Sequence, residues 1–122
     1  MYTVVRFTGE RLLLPVIVKL GTALNTIRPG TYSGLRKTGD GFACEICADE
    51  QWDRHRDEIL RFTSDLRDEI TAAIQNGIVV TVDIALEPED HETQGKILVL
   101  RCSNEFLAAL TSSGVQFEVS LY

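Results

Sequence analysis

Cys44 and Cys47 have the spacing of a thiolate metal pair or a dithiol redox centre, and Cys102, His55 and His91 are conceivable further ligands. Such pairs work on tight turns or at helix starts, where both sulfurs reach one point. Here Phe42 to Ala48 alternates as a strand does, so the two thiols should face opposite sides and serve as small hydrophobes. Gly30, Gly34, Lys37 and Thr38 suggest a phosphate loop, but Arg36 stands where that pattern requires glycine before the lysine. No Gly-x-Gly-x-x-Gly opens a helix after a strand, which removes a dinucleotide fingerprint. No metal and no cofactor is expected.

Acid chemistry is the next possibility, with Asp83, Glu87, Glu89, Asp90 and Glu92 grouped around His91. A general acid or base needs burial or a fixed partner to shift its pKa, and a polar connection holding Pro88 and Gly95 promises neither. Glu87, Glu89, Asp90 and Glu92 therefore read as the first contact surface for a basic partner. Asp53, Asp57 and Glu58, interleaved with Arg54 and Arg56 around His55, are the second. Arg6, Arg28 and Arg101 are the residues a hydrolase of acidic or phosphorylated small molecules would use. The Gly-rich arginine loop of an acylphosphatase is absent after the first strand, and the chain is not expected to be an enzyme.

The balance of charge points the same way. The 122 residues carry 18 acidic and 12 basic side chains, a net charge of -6, which repels phosphate backbones and favours a basic protein. Arg28, Arg36 and Lys37 make too small a basic patch to reverse this, so no nucleic acid is expected. The apolar run Leu12 to Leu20 contains Pro15 and Lys19 and falls short of the roughly 20 residues that span a bilayer. Met1 to Phe7 lacks the pattern of a signal peptide, and an odd number of cysteines argues against a disulfide framework. The expected location is the cytoplasm.

The elements that must position these residues follow from periodicity. Thr3, Val5 and Phe7 alternate with Val4 and Arg6 as a half-buried strand. Leu13 to Asn25 carries a helical stripe of Leu13, Val16, Ile17, Leu20 and Leu24, although its β-branched run and Gly21 leave a strand open. Arg28 to Gly41 is a long loop rich in turn formers, and Phe42 to Ala48 is a strand. Trp52 to Gln75 is the clearest helix, with Ile59, Phe62, Leu66, Ile70 and Ala73 on one face, closed by Asn76-Gly77. Ile78 to Leu86 and Lys96 to Cys102 read as a long-tipped hairpin. Ser103 caps a short helix that stops at Gly114, and Val115 to Tyr122 closes the chain as a strand. The order β-α-β-α-β-β-α-β predicts one α+β domain over residues 1–122, a two-layer α/β sandwich on a mainly antiparallel sheet, ferredoxin-like in spirit.

With these elements placed, the chain resembles a bacterial family known only as domain of unknown function 4279. The resemblance is carried by Pro15-Val16-Ile17 to Leu20-Gly21, by Ile27-Arg28-Pro29-Gly30-Thr31 and by Lys37-Thr38-Gly39. Asn104-Glu105-Phe106-Leu107 to Leu110, the closing stretch from Gly114 to Tyr122, and Trp52 also carry it. The family brings no catalytic residues. It implies a small bacterial accessory protein, in some cases an immunity partner that neutralises a toxin. The first expectation is thus a non-catalytic immunity-type module that covers a basic partner. The alternative is a homodimer or larger homo-oligomer with a small-molecule regulatory site.

Overall fold

Alternation in Tyr2–Thr8 decides the centre of the molecule, because Thr3, Val5 and Phe7 are wholly buried while the residues between them keep some exposure. A computed structural model describes residues 1–9, 14–27, 32–87 and 99–122. Its strands are β1 (Tyr2–Thr8), β2 (Arg36–Lys37), β3 (Gly41–Ala48), β4 (Val79–Leu86) and β5 (Gln116–Leu121). Its helices are α1 (Leu14–Ile27), α2 (Trp52–Asp65), α3 (Arg67–Gln75) and α4 (Asn104–Ser113). The strands form one five-stranded sheet in the order β2-β3-β1-β4-β5. β1 runs antiparallel to β3 and β4, β2 antiparallel to β3, and β5 parallel to β4.

The core lies where α2, α3 and α4 meet the inner side of this sheet. Register pairs Val5 with Val82 and Phe7 with Val80, so these side chains share one face. Ile59, Phe62, Leu66, Ile70 and Ala73 press on it at 0% exposure, as the helical stripe predicts. Trp52 closes the far end. Its ring stands edge-on to Phe106 at 5.7 Å and to Phe117 at 6.4 Å, and its indole N–H donates to the Arg101 carbonyl at 2.8 Å. α1 is a helix, not a strand, and buries Ile17, Leu20 and Leu24. Ser103 caps α4 through the Phe106 N–H at 3.1 Å, and Gly114 ends it with φ 75°. No helix among the described residues is long and apolar enough to cross a membrane.

The α+β class read from the sequence holds, but the element order differs in three places. The Trp52 to Gln75 rod is two helices that meet at Leu66, whose φ of -109° and ψ of 23° leave the helical region. Thr63 bends the backbone there by returning its hydroxyl to the Ile59 and Leu60 carbonyls, each at 3.0 Å. Val99 to Cys102 is not a strand, and Lys96 to Leu98 lie outside the described residues. Both sides of β4 are already taken by β1 and β5, so β4 has no edge left for the expected hairpin partner. Finally, the long loop contains β2, held to Phe42 and Ala43 across a turn closed by Thr38 N–H to the Gly41 carbonyl at 2.8 Å.

Gly41 is required by close approach. A Cβ placed there would collide with the Phe7 carbonyl, which belongs to the central strand. Gly41→Ala should cost about 1–3 kcal/mol in urea-unfolding free energy, the usual range for overpacking. The same change at Gly39, which has open space around it, should leave the midpoint within error of the wild type.

Candidate functional site

Polar side chains cluster on both sides of the sheet, and burial separates their roles. On the helix side His55 is 0% exposed. Its Nε2 lies 2.9 Å from the Asp49 carbonyl, which can only accept, so Nε2 carries a proton. In the neutral ring Nδ1 then accepts from the Thr3 hydroxyl at 2.7 Å. The ring ties the start of α2 to the turn before it and to β1. That is a structural duty, and it keeps the imidazole away from any substrate.

The cysteines are arranged differently from their sequence reading. Register passes from Val4 opposite Glu45 to Thr3 opposite Cys47, leaving Ile46 as the extra residue of a β-bulge. The bulge restores Cys47 to the helix side, the side of its partner Thr3, so the two thiols do not face opposite ways. Alternation alone carries no signal of an inserted residue. Cys44 is buried and donates to the Ser33 carbonyl at 2.9 Å, while Cys47 borders α2. Burial pushes the Cys44 thiol up to about 11, and it raises Cys47 as well, with Glu58 and Asp49 adding to the shift. Both are thiols at neutral pH, not nucleophilic thiolates. Cys44, Cys47 and Cys102 are all free. Among the described residues no group of three or more His, Cys, Asp or Glu side chains is placed to hold a metal ion.

The acidic residues of α2 surround a cavity of about 540 Å³ lined by Cys47, Asp49, Arg54, Asp57, Glu58 and Arg61. Each of these acids has an arginine beside it. Arg54 reaches Asp49 at 3.4 Å, Arg61 reaches Glu58 at 2.8 Å, and Arg56 joins Asp53 at 3.2 Å to Asp57 at 3.1 Å. Asp53 and Asp57 share the single Arg56 while Glu58 has Arg61, so this surface carries less net negative charge than its acids alone suggest. The first-ranked acids divide. Glu87 is exposed just past β4, whereas Glu89, Asp90, Glu92 and His91 lie outside the described residues, as does Arg28.

The opposite face of the sheet is where the unexpected chemistry sits. Tyr2, Val4 and Arg6 show the side of β1 opposite to the buried Thr3, Val5 and Phe7. Arg6 of β1 donates from Nη2 to Oδ2 of Asp83 on β4, reaches Glu118 of β5 at 3.8 Å, and approaches the Tyr122 hydroxyl at 3.5 Å. Asp83 is 0% exposed, and among the described residues its Oδ1 has no hydrogen-bond partner. Beside this network a cavity of about 470 Å³ is lined by Tyr2, Val4, Arg36, Glu45, Ala85, Glu87 and Tyr122. The sequence held one clue to this face. Arg6 and Asp83 are single charges set in otherwise apolar strands, and each marks the side of its strand that points away from the helices.

No protein-family profile matches this chain, and no curated protein or solved structure matches it either.

Removing the Arg6 cation leaves a buried carboxylate without its counter-charge. Arg6→Leu should lower stability by about 3 kcal/mol, the low end for a broken buried pair because Arg6 retains 30% exposure. The double change Arg6→Leu with Asp83→Leu should recover most of that loss, measured by urea unfolding in a double-mutant cycle. Alkaline titration tests Cys44. Its folded value lies above the unfolded value of 9.0, so its contribution is complete below pH 9 and disappears as pH rises through about 11. Cys44→Ala should flatten stability across that window, and Ellman's reagent at pH 8 should label Cys44 only after unfolding.

Proposed function

We propose that this chain is a small, non-catalytic binding module of the immunity type, acting in a bacterial cytoplasm, whose outer sheet face, opposite the core, receives a basic segment of a partner protein. The observation that carries the proposal is the cavity of about 470 Å³ in which Glu45 and Glu87 stand with Tyr2 and Tyr122. A lysine or arginine side chain inserted there gains two carboxylates and aromatic faces that attract a cation. Arg36, at the β2 end, repels a second cation and so fixes which end the charged group occupies. The net charge of -6 supplies long-range attraction toward a basic surface. Glu89, Asp90 and Glu92 follow Glu87 in the sequence and lie outside the described residues. The resemblance to the domain of unknown function 4279 family fits the same role.

Features of the helix side support a role without catalysis. His55 is sealed between Thr3 and the Asp49 carbonyl, and the Cys44 and Cys47 thiols are held protonated. Asp53 and Asp57 share Arg56 and Glu58 pairs with Arg61, and this reading makes them the second contact surface, after the sheet.

Titration of pentalysine into the ¹⁵N-labelled protein at low salt should move the amide signals of Val4, Glu45, Ala85 and Glu87 first. Raising the salt should weaken the effect, and Glu45→Lys with Glu87→Lys should abolish it. Shifts confined to α2, or none at low salt, would refute the assignment.

A further inference from the structure

The two edges of the sheet are treated in opposite ways. On one side β2 is only two residues long, and both Arg36 and Lys37 are exposed, so a short basic edge discourages strand addition. On the other side β5 runs six residues, from Gln116 to Leu121, with one charge, no lysine and no proline. Val119 is 45% exposed and Leu121 is 68% exposed. Among the described residues nothing pairs with the outer side of β5.

The phase of the β5 backbone shows what that edge offers. Tyr122 N–H donates to the Leu86 carbonyl at 3.0 Å, so the amide of Tyr122 faces β4. In a parallel ladder the N–H and C=O of one residue point to the same side, and successive residues alternate. Ser120 and Glu118 therefore also turn their backbone toward β4, and Phe117, Val119 and Leu121 turn theirs outward. The residues with outward backbone groups are thus the apolar ones, whose side chains lie on the helix side of the sheet, where Phe117 meets Trp52.

From this we infer that β5 is a homodimer interface, at which a second copy of the chain adds its own β5 antiparallel about a two-fold axis through Val119. In that register Val119 exchanges an N–H and a C=O with its symmetry mate, and Phe117 does the same with Leu121 of the other copy. Glu118 stands opposite Ser120, so the single edge charge never meets itself. An axis through Glu118 would set two carboxylates face to face, a destabilising cross-strand pair. The self-complementary register thus singles out a second copy as the occupant. It joins two sheets into one, with both β2 edges left at the outside.

Size-exclusion chromatography with light scattering over a dilution series should report twice the 13.6 kDa chain mass at high concentration. Val119→Lys, which places two ammonium groups on the axis, should weaken dimerisation at least about tenfold, or 1.4 kcal/mol, with an unchanged circular dichroism spectrum. Where that variant fails to fold, Val119→Cys serves. Hydrogen-bonded antiparallel pairs hold their Cα atoms about 5.5 Å apart, within disulfide reach. Mild oxidation should then yield a covalent dimer from Val119→Cys and none from Ser120→Cys or the wild type. A wild-type mass of 13.6 kDa at every concentration, or a dimer that survives Val119→Lys in folded form, would overturn the proposal.

Discussion

The fold rests on the dry seam where Ile59, Phe62, Leu66 and Ile70 meet Val5, Phe7, Val82 and Ile84, every one of them at 0% exposure. Removing this much apolar surface from water is the term large enough to oppose chain entropy, and each other feature must fit around it. One consequence is the care taken with polar groups that touch the seam. Thr3 and His55 sit inside it only because each satisfies the other, with the Asp49 carbonyl taking the remaining proton. Another is the break at Leu66, which turns the second half of the helical stretch so that both Phe62 and Ile70 stay in contact with the core.

Much of this arrangement was legible in residue spacing. The stripe from Ile59 to Ala73, the alternation of Val80, Val82 and Ile84, and the Ser103 and Gly114 stops all mark local preferences that the tertiary structure reinforces. What escaped is what depends on pairing between distant segments. Val99 to Cys102 is apolar enough for a strand, yet β4 has no free side to offer it. The parallel placement of β5 and the bulge at Ile46 are properties of two strands together, and a single-strand pattern does not encode them. The Arg6 to Asp83 contact joins residues 77 apart in sequence, so only the sheet order brings it into view.

The candidate site was legible in part, for a related reason. Among the described acids, Asp53, Asp57 and Glu87 are exposed as composition suggests, whereas Asp83, grouped with the solvated acids, is wholly buried; composition treats charge as a property of a stretch. Three-dimensional neighbours redistribute it. Asp53 and Asp57 share Arg56 and Glu58 pairs with Arg61, while Glu45, an ordinary polar position in a strand, lines one cavity with Glu87 and two tyrosines.

The position of β1 bears on how the chain assembles. Of the described strands it is the first in the chain, yet it occupies the middle of the sheet, between β3 and β4. While translation proceeds it can zip only with β3, and its other flank waits for Val79 to Leu86 to be synthesised. A nascent chain thus carries a hairpin with a greasy underside and an unsatisfied row of amides for several seconds at ordinary elongation speeds of roughly 5–20 residues per second. α1 is already out by then, and α2 and α3 follow during that interval, so docking of α2 on β1 is the first cover the growing intermediate can gain.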